Sequence, residues 1–211
     1  TVIVTTASHV AQFLPRRVLV QVTSLDEALA AVAAGATGVI AKGCEAGGRI
    51  GDETTFVLVQ RLVEALDVPV WAQGGIGEHT AAACIAGGAT GVVLDIQLAL
   101  LPESSVPAPI QAAIRAMDGS ETTIAGGHRV YTRPDLPIAR GAAFDEARLG
   151  ADDLATSFVP IGQDGAIARG LAARYGSVAQ LVAGMRASIA EHLALAATHQ
   201  PLAPNSPFAA A

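Results

Sequence analysis

A glycine-rich segment at positions 43–51 follows a short apolar run and is the first place in the sequence where chemistry could occur. It reads Gly-Cys-Glu-Ala-Gly-Gly-Arg-Ile-Gly, and the β-branched run before it, 38–42, is typical of a buried parallel strand. Because glycine lacks a Cβ, its backbone can come close to a ligand and turn N–H groups toward an anion. The segment therefore predicts a loop that contacts a phosphate-bearing cofactor.

A second segment has the same organisation. The run 68–73 is again apolar and ends in Gly74-Gly75-Ile76-Gly77. Since the carboxyl ends of parallel strands meet at one edge of a sheet, we expect the two glycine loops to lie side by side and to face one ligand.

The elements that position these loops alternate between strand and helix. Apolar, β-branched runs predict strands at 1–6, 17–22, 38–42, 68–73 and 91–95, and amphipathic patterns predict helices at 24–34, 54–66 and 78–86. Such alternation with short connections gives a parallel sheet, either a (β/α)8 barrel or a doubly wound open sheet. About five strands are present, whereas a barrel has eight. The predicted class is therefore α/β, and a barrel would be represented by its carboxyl-terminal portion.

The pattern changes near residue 104. Three prolines interrupt the chain, and the stretch 119–140 reads as a long loop. Helices are predicted beyond and around it at 110–117, 145–149, 151–157, 164–175 and 178–198. We therefore divide the chain into the barrel portion 1–104, a loop-rich and then helical extension 105–198, and a Pro/Ala-rich linker 199–211. Because the chain starts at Thr1 and ends in this linker, we expect it to belong to a longer polypeptide.

Composition excludes several partners. The net charge is -6 and Lys and Arg do not cluster, which argues against nucleic acid. No apolar run approaches the roughly 20 residues that span a bilayer, so membrane insertion is not expected. The two cysteines, Cys44 and Cys84, have no metal-type spacing, which favours reduced thiols in a cytoplasmic protein.

Several side chains have both a chemical and a structural interpretation. Cys44 could be a nucleophile, but no His or Asn is placed to activate it, so a small loop or core residue is favoured. Glu45 is favoured as a hydrogen-bond acceptor for loop N–H groups over a catalytic acid. His128 follows two glycines and is either a base near the ligand or a packing residue. The remaining histidines are expected to be solvated or to cap helices: His9, His79, His192 and His199.

Three segments together resemble the nitronate monooxygenase family, also called 2-nitropropane dioxygenase-like proteins. They are 41–48 (Ala-Lys-Gly-Cys-Glu-Ala-Gly-Gly), 68–76 and 88–94, which agree with the family in order and spacing. Segments 117–121 and 127–137 further resemble the copies found within modular polyketide or polyunsaturated fatty acid synthase-like proteins. The resemblance implies an FMN-dependent (β/α)8 barrel that acts on a small molecule or an acyl thioester, with other domains of the same polypeptide as partners.

The resemblance also implies roles for individual residues. Gly74 and Gly75 would bind the FMN phosphate through backbone N–H groups, while Gly47 and Gly48 would line the space over the isoalloxazine ring. Lys42 lies where the family commonly has Gln next to the flavin. The cofactor-binding set is completed by Gly43, Gln73 and Asp95.

Two positions depart from the family pattern. Arg49 lies where the family has a His that takes the substrate proton, and arginine cannot serve as a base, although it can hold an anion. His128 is the second catalytic candidate. Asp95-Ile96 lies where the family has Gly-Thr for the phosphate, and a carboxylate there repels a phosphate dianion.

Three functional hypotheses follow. The first is an FMN-dependent oxidoreductase domain that oxidises a nitronate or reduces an enoyl thioester. The second is a catalytically degenerate barrel that serves as a structural or docking module of a synthase, which the departures at Arg49 and Asp95 favour. The third is an isomerase or aldolase that binds a sugar phosphate, which the glycine loops alone would allow.

Overall fold

A parallel sheet of five strands forms the centre of the molecule. The computed structural model describes residues 1–134, 136, 143–150 and 153–198. The strands, in chain order, are β1 (Val2–Val4), β2 (Val18–Val22), β3 (Gly38–Lys42), β4 (Gly48–Arg49), β5 (Val70–Gln73), β6 (Gly91–Val93), β7 (Thr122–Ala125) and β8 (His128–Tyr131). The helices are α1 (Leu25–Ala33), α2 (Thr55–Ala65), α3 (Glu78–Ala86), α4 (Ala108–Ala116), α5 (Gly165–Arg174) and α6 (Val178–Thr198).

The order of the parallel strands decides between the two predicted architectures. The order is β1-β2-β3-β5-β6, so each strand pairs with the next parallel strand along the chain. A doubly wound sheet reverses its strand order at a switch point, whereas a barrel adds strands sequentially. This sheet shows no reversal, and the predicted α/β class with five strands of a barrel is confirmed.

Helices α1, α2 and α3 connect successive strands of the sheet. Helix α1 begins at Ser24, whose Oγ accepts a hydrogen bond from the Glu27 N–H, as the sequence predicts. The face of α2 toward the sheet buries Leu58, Val59 and Leu62. These side chains join the strand residues in one apolar core, so hydrophobic burial fixes where the carboxyl ends of the strands lie.

A second, antiparallel sheet has the order β4-β8-β7 and lies where the sequence predicted a loop. Strands β7 and β8 form a hairpin whose two turn residues, Gly126 and Gly127, have φ angles of 55° and 73°. Two positive φ angles define the type I′ turn that closes tight hairpins, and glycine adopts them readily. The loop prediction for 119–140 is therefore wrong over 122–131. Two glycines between β-forming runs were the signal for a hairpin.

The extension packs on the sheet mainly through helices. Helices α3 and α6 contact each other extensively, and Leu181 and Met185 of α6 are buried at the predicted spacing. The helix predicted at 151–157 is wrong in its described part, because 154–156 form only a turn. The predicted linker 199–211, with His199, lies outside the described residues. Within the described ranges, no helix combines the length and apolar character needed to cross a membrane.

Candidate functional site

Polar side chains at or just beyond the ends of β2, β5 and β6 meet at the carboxyl edge of the parallel sheet. The Gln21 Nε2 donates to Gln73 Oε1 at 2.7 Å, and the Gln73 Nε2 donates to Asp95 Oδ2 at 2.6 Å. Gln73 is 3% exposed, and both the oxygen and the nitrogen of its side-chain amide take part in these hydrogen bonds. The residues predicted from the second glycine loop and from the end of β6 are thus brought together.

Glu45 organises the first glycine loop. Its Oε2 accepts hydrogen bonds from the Thr55 N–H at 2.9 Å and from the Thr55 hydroxyl at 3.0 Å, at the start of α2. A Cβ on Gly43 would lie 2.1 Å from the Thr55 nitrogen, so glycine is required at that position for this close approach. Glu45 thus accepts hydrogen bonds, as the sequence favours, but its donors belong to the first residue of α2 and not to the glycine loop.

The backbone N–H of Gly75, expected to bind a phosphate, donates to a carboxylate of the chain itself. The acceptor is Asp164 Oδ2 at 3.2 Å, and the same oxygen accepts from Gln97 Nε2 at 3.2 Å. Asp164 is 2% exposed, and its Oδ1 is buried without a hydrogen-bond partner. An anionic side chain therefore stands beside the second glycine loop.

The environment of Asp164 opposes its charge. Burial, together with the nearby Asp95 carboxylate, raises the pKa of Asp164 to about 7, while the N–H of Gly75 acts in the opposite direction. Two long hydrogen bonds and one unpaired oxygen do not compensate for the loss of water around this carboxylate. Asp164 thus changes its protonation state near neutral pH.

Lys42 is a cation on which the charges of Asp95 and Asp164 act. Its pKa is lowered by burial, an effect that Asp95 and Asp164 oppose and that Arg49 reinforces. In the part of the chain that the structure describes, its ammonium forms no hydrogen bond or ion pair. Lys42 therefore has donors available at the end of the central strand, although two carboxylates already balance its charge.

Arg49 is held in a cluster with Glu27 and Thr23. Its Nη1 lies 2.6 Å from Glu27 Oε1, and its Nη2 donates to Glu27 Oε2 at 3.3 Å. Burial raises the pKa of Glu27, but the hydrogen bonds from Arg49 and Thr23 outweigh this effect and keep the pKa below its usual value. Arg49 and Glu27 both line a cavity of about 280 Å³ at the end of β2. The arginine charge is largely neutralised there.

The structure places His128 directly opposite Arg49. The two residues are register partners in the β4–β8 pair, so their side chains project from the same face, with Cβ atoms about 5 Å apart. The imidazole is buried and stacks on Phe144 with ring centroids 5.2 Å apart. Its Nδ1 lies 2.9 Å from the Gly126 carbonyl oxygen. Because a carbonyl can only accept, Nδ1 carries the proton and Nε2 of the neutral ring is the basic nitrogen.

The other chemical candidates from the sequence have structural surroundings. Burial raises the pKa of the Cys44 thiol, which weakens it as a nucleophile, and its carbonyl oxygen accepts from Arg129 Nε. His79 Nδ1 lies 2.7 Å from His192 Nε2, so these two histidines bond each other across α3 and α6. Among the described residues, no three His, Cys, Asp or Glu side chains are grouped to hold a metal ion.

The phosphate of FMN does not fit the arrangement around the second glycine loop. The N–H of Gly75 already has an anionic acceptor, and Asp95 places a second carboxylate beside it. Asp95 is fixed in this position, because its Oδ1 accepts the Ile96 N–H and its Oδ2 accepts from Gln73. A phosphate dianion at this place would face two carboxylates, with Lys42 as a cation on which the charges of both act.

Sequence reasoning missed three residues of this site. They are Asp164, Glu27 and Gln97, none of which the sequence assigns to the site. Asp164 lies 89 positions after Gly75, and no local pattern signals a contact of that separation. Asp164 precedes α5 but does not cap it through its side chain, and this departure from the usual role of Asp is visible only in the structure.

Comparison with known proteins gives a consistent result. The family model described as nitronate monooxygenase matches residues 8–130. A nitronate monooxygenase of Pseudomonas aeruginosa is 36% identical over 118 residues, which cover 51% of this chain and 34% of that protein. A hydroxy-methyl-oxo-octahydro-indene carboxyl-CoA dehydrogenase of Rhodococcus jostii is 36% identical over 91 residues, which cover 43% of this chain and 26% of that protein.

A solved structure is similar over nearly the whole chain. A variant of FabK from Thermotoga maritima superposes with a TM-score of 0.73 at 26% identity, covering 92% of this chain and 66% of FabK. The curated relatives are longer than the matched region, and the chain spans 34% or less of the two described above.

Proposed function

Because the chain belongs to the nitronate monooxygenase family, a family of oxidoreductases for which a flavin is the implied cofactor class, we propose that it removes a proton from a carbon acid. The carbon acid carries a nitro group or an acyl thioester next to the C–H bond. The observation that carries the proposal is the pairing of His128 with Arg49, which sets a base beside the position that holds His in the family pattern. The proposal covers proton removal only, since the flavin supplies the redox chemistry of the family.

His128 acts as the base in this proposal. The Gly126 carbonyl oxygen keeps the proton on Nδ1, which leaves the lone pair of Nε2 free to accept a proton. Stacking on Phe144 restricts rotation of the imidazole. In the step, the C–H bond breaks, Nε2 takes the proton, and the electron pair moves to the nitro or carbonyl oxygen of the substrate.

Arg49 stabilises the oxygen that gains charge. A guanidinium donates charge-assisted hydrogen bonds to such an oxygen, and Glu27 holds it in place through two contacts. Since Glu27 and Arg49 line one cavity, a ligand that is already anionic is disfavoured on entry to it. The site therefore favours a neutral carbon acid over a preformed nitronate.

Two relatives support the choice of substrate class. One is named for a nitronate, which is the conjugate base of a nitroalkane, and the other for a carboxyl-CoA thioester, whose carbonyl acidifies the C–H bond beside it. We extend to this chain only that shared chemistry. A synthase-bound acyl thioester, with other domains of one polypeptide as partners, is the physiological form that the resemblance favours.

A structural or docking module is the second candidate function. It is favoured by Asp95 and Asp164, which place two carboxylates where the family binds a phosphate. In this case the domain would keep the apolar core of the barrel but would not catalyse a reaction.

Hydrogen–deuterium exchange at the substrate carbon tests the proposal without any cofactor. The purified protein is incubated in D2O with nitroethane or propionyl-CoA, and proton NMR follows loss of the proton signal from the carbon next to the nitro or thioester group. We expect exchange above the buffer rate, and we expect His128→Gln to lower the protein-dependent rate about 100-fold, the usual contribution of a general base.

His192→Gln provides the matched control, because that histidine is remote from Arg49 and bonds His79 instead. Its exchange rate should equal that of the unmodified protein. Exchange that persists in His128→Gln would contradict the assignment of the base. Absence of any exchange above buffer would reject the proposal and leave the structural module.

A further inference from the structure

We propose that the side chain of Asp164 is an internal substitute for the cofactor phosphate and closes the second glycine loop to FMN. The inference concerns different atoms from those of the proton transfer, and neither depends on the other. It implies that a flavin in this domain is not anchored through a phosphate at Gly74 and Gly75.

The geometry matches that of a bound anion. The Asp164 carboxylate accepts from a backbone N–H at a positive-φ glycine, where the φ angle of Gly75 is 63°. Gln97 donates to the same oxygen with its Nε2, which also donates to the Ile76 carbonyl oxygen at 3.1 Å. An N–H that turns toward an oxyanion and a second donor beside it are what an anion-binding loop supplies. Here the oxyanion is covalently part of the chain.

Packing as well as hydrogen bonding holds Asp164 against the second glycine loop. The segment 160–164 reaches over the first glycine loop, since a Cβ on Gly47 would lie 2.3 Å from the Pro160 carbonyl oxygen. The Gln163 N–H donates to the Glu45 carbonyl oxygen at 2.9 Å, which fixes the residue next to Asp164. Asp164 is therefore held at the second loop by contacts of its neighbours with the first loop.

The charges of the surrounding elements act against a second anion. Asp95 at the end of β6 and Glu45 in the first glycine loop are acids whose charges act on Asp164. Lys42 at the end of β3 is a cation on which the charges of Asp95 and Asp164 both act. Above about pH 7, where Asp164 is ionised, an added phosphate would be repelled. With Asp95 and Asp164 removed, Lys42 and the Gly75 N–H would favour a phosphate.

The comparison of FMN with riboflavin tests this inference, because riboflavin lacks only the phosphate. Dissociation constants are measured by quenching of flavin fluorescence for the unmodified protein, for Asp95→Gly/Asp164→Ser, and for Asp67→Ser as the matched control. Asp67 is exposed and precedes the amino-terminal end of β5, whereas the second glycine loop follows the carboxyl end of that strand. Inorganic phosphate is then titrated against each protein while the unfolding temperature is followed.

In the unmodified protein and in Asp67→Ser, FMN should bind no more tightly than riboflavin, and phosphate should leave the unfolding temperature unchanged. In the double variant, FMN should bind at least about tenfold more tightly than riboflavin, and phosphate should raise the unfolding temperature. A preference for FMN of about tenfold or more in the unmodified protein would overturn the inference, and this result needs no variant to fold. A folded double variant without any gain in phosphate affinity would overturn it too.

Discussion

At the scale of single residues, the site is defined by how charged groups are paired. Arg49 has Glu27 as a close partner, whereas Asp164 has two neutral donors and an unpaired oxygen. An ion pair in a half-exposed cavity costs little, but a carboxylate that loses water without a cation in contact is destabilising. The burial of Asp164 is therefore more destabilising than the formation of the Arg49–Glu27 ion pair.

The protonation of Asp164 predicts a pH dependence of stability. In the unfolded chain this side chain releases its proton near pH 3.8, as an ordinary aspartic acid does, whereas the folded protein holds the proton up to about pH 7. Between these values the folded state binds the extra proton, so the free energy of unfolding should fall as the pH rises and then level off above about 7. The decrease from this group should be about 2–4 kcal/mol.

Urea unfolding at a series of pH values measures this decrease. Asp164→Asn should lose most of the slope and be more stable than the unmodified protein above about pH 7, because an amide carries no charge to desolvate. Asp67→Asn should keep the slope. An Asp164→Asn profile parallel to that of the unmodified protein would show that Asp164 ionises normally in the folded state.

At the scale of elements, the β7–β8 hairpin is what sets His128 beside Arg49. Strand β4 has only two residues, and it is paired to β8 with Arg49 opposite His128. The register of β8 is fixed by the two-residue turn, since a slip by one position would turn His128 to the opposite face. The turn glycines therefore control the geometry of the proposed base.

Alanine at the two turn positions should have different costs. Gly127→Ala meets no atom within 4 Å, so it should cost only the left-handed backbone strain of about 1–2 kcal/mol. Gly126→Ala adds a Cβ at 2.3 Å from Phe144 Cδ1, and it should cost about 1–3 kcal/mol more through overpacking. Urea unfolding of both variants measures the difference. Equal costs would mean that Phe144 moves aside freely.

At the scale of the whole molecule, the extension contacts the first glycine loop of the parallel-sheet portion through closely packed backbone atoms. Gly47 in the first glycine loop packs on the carbonyl oxygen of Pro160 and on the nitrogen of Gly162. The Gln163 N–H of the extension also donates a hydrogen bond to the Glu45 carbonyl oxygen of the first glycine loop. Helix α6 adds an apolar contact with α3 on the other side.

Gly47→Ala should break this junction. Its Cβ would lie 2.3 Å from a backbone oxygen, which cannot rotate away, so we expect a loss of about 2–3 kcal/mol or more in the free energy of unfolding. Gly170→Ala is the matched control, because it lies within α5 with no atom within 4 Å. It should stabilise the protein by about 0.5–1 kcal/mol. Urea unfolding checks both, and a Gly47→Ala variant as stable as Gly170→Ala would show that the extension is not anchored here.

The sequence determined the parallel sheet and the place of the site within it. Strands, caps and the helices α1, α2, α3 and α6 follow from local periodicity, because burial of one face requires apolar residues at fixed spacing. The glycine loops and the role of Glu45 were also readable, since they lie next to the strands that position them. These features depend on residues close together along the chain.

Only the tertiary structure decided which charges meet. Gly75 contacts Asp164, which lies 89 positions later, and Arg49 contacts Glu27, which lies 22 positions earlier. The pairing of Arg49 with His128 depends on a hairpin, whereas the sequence predicts a loop there. Electrostatic interactions act through distance and burial, and neither is encoded in local spacing. The chemistry of the site was therefore set by packing between segments distant in the sequence.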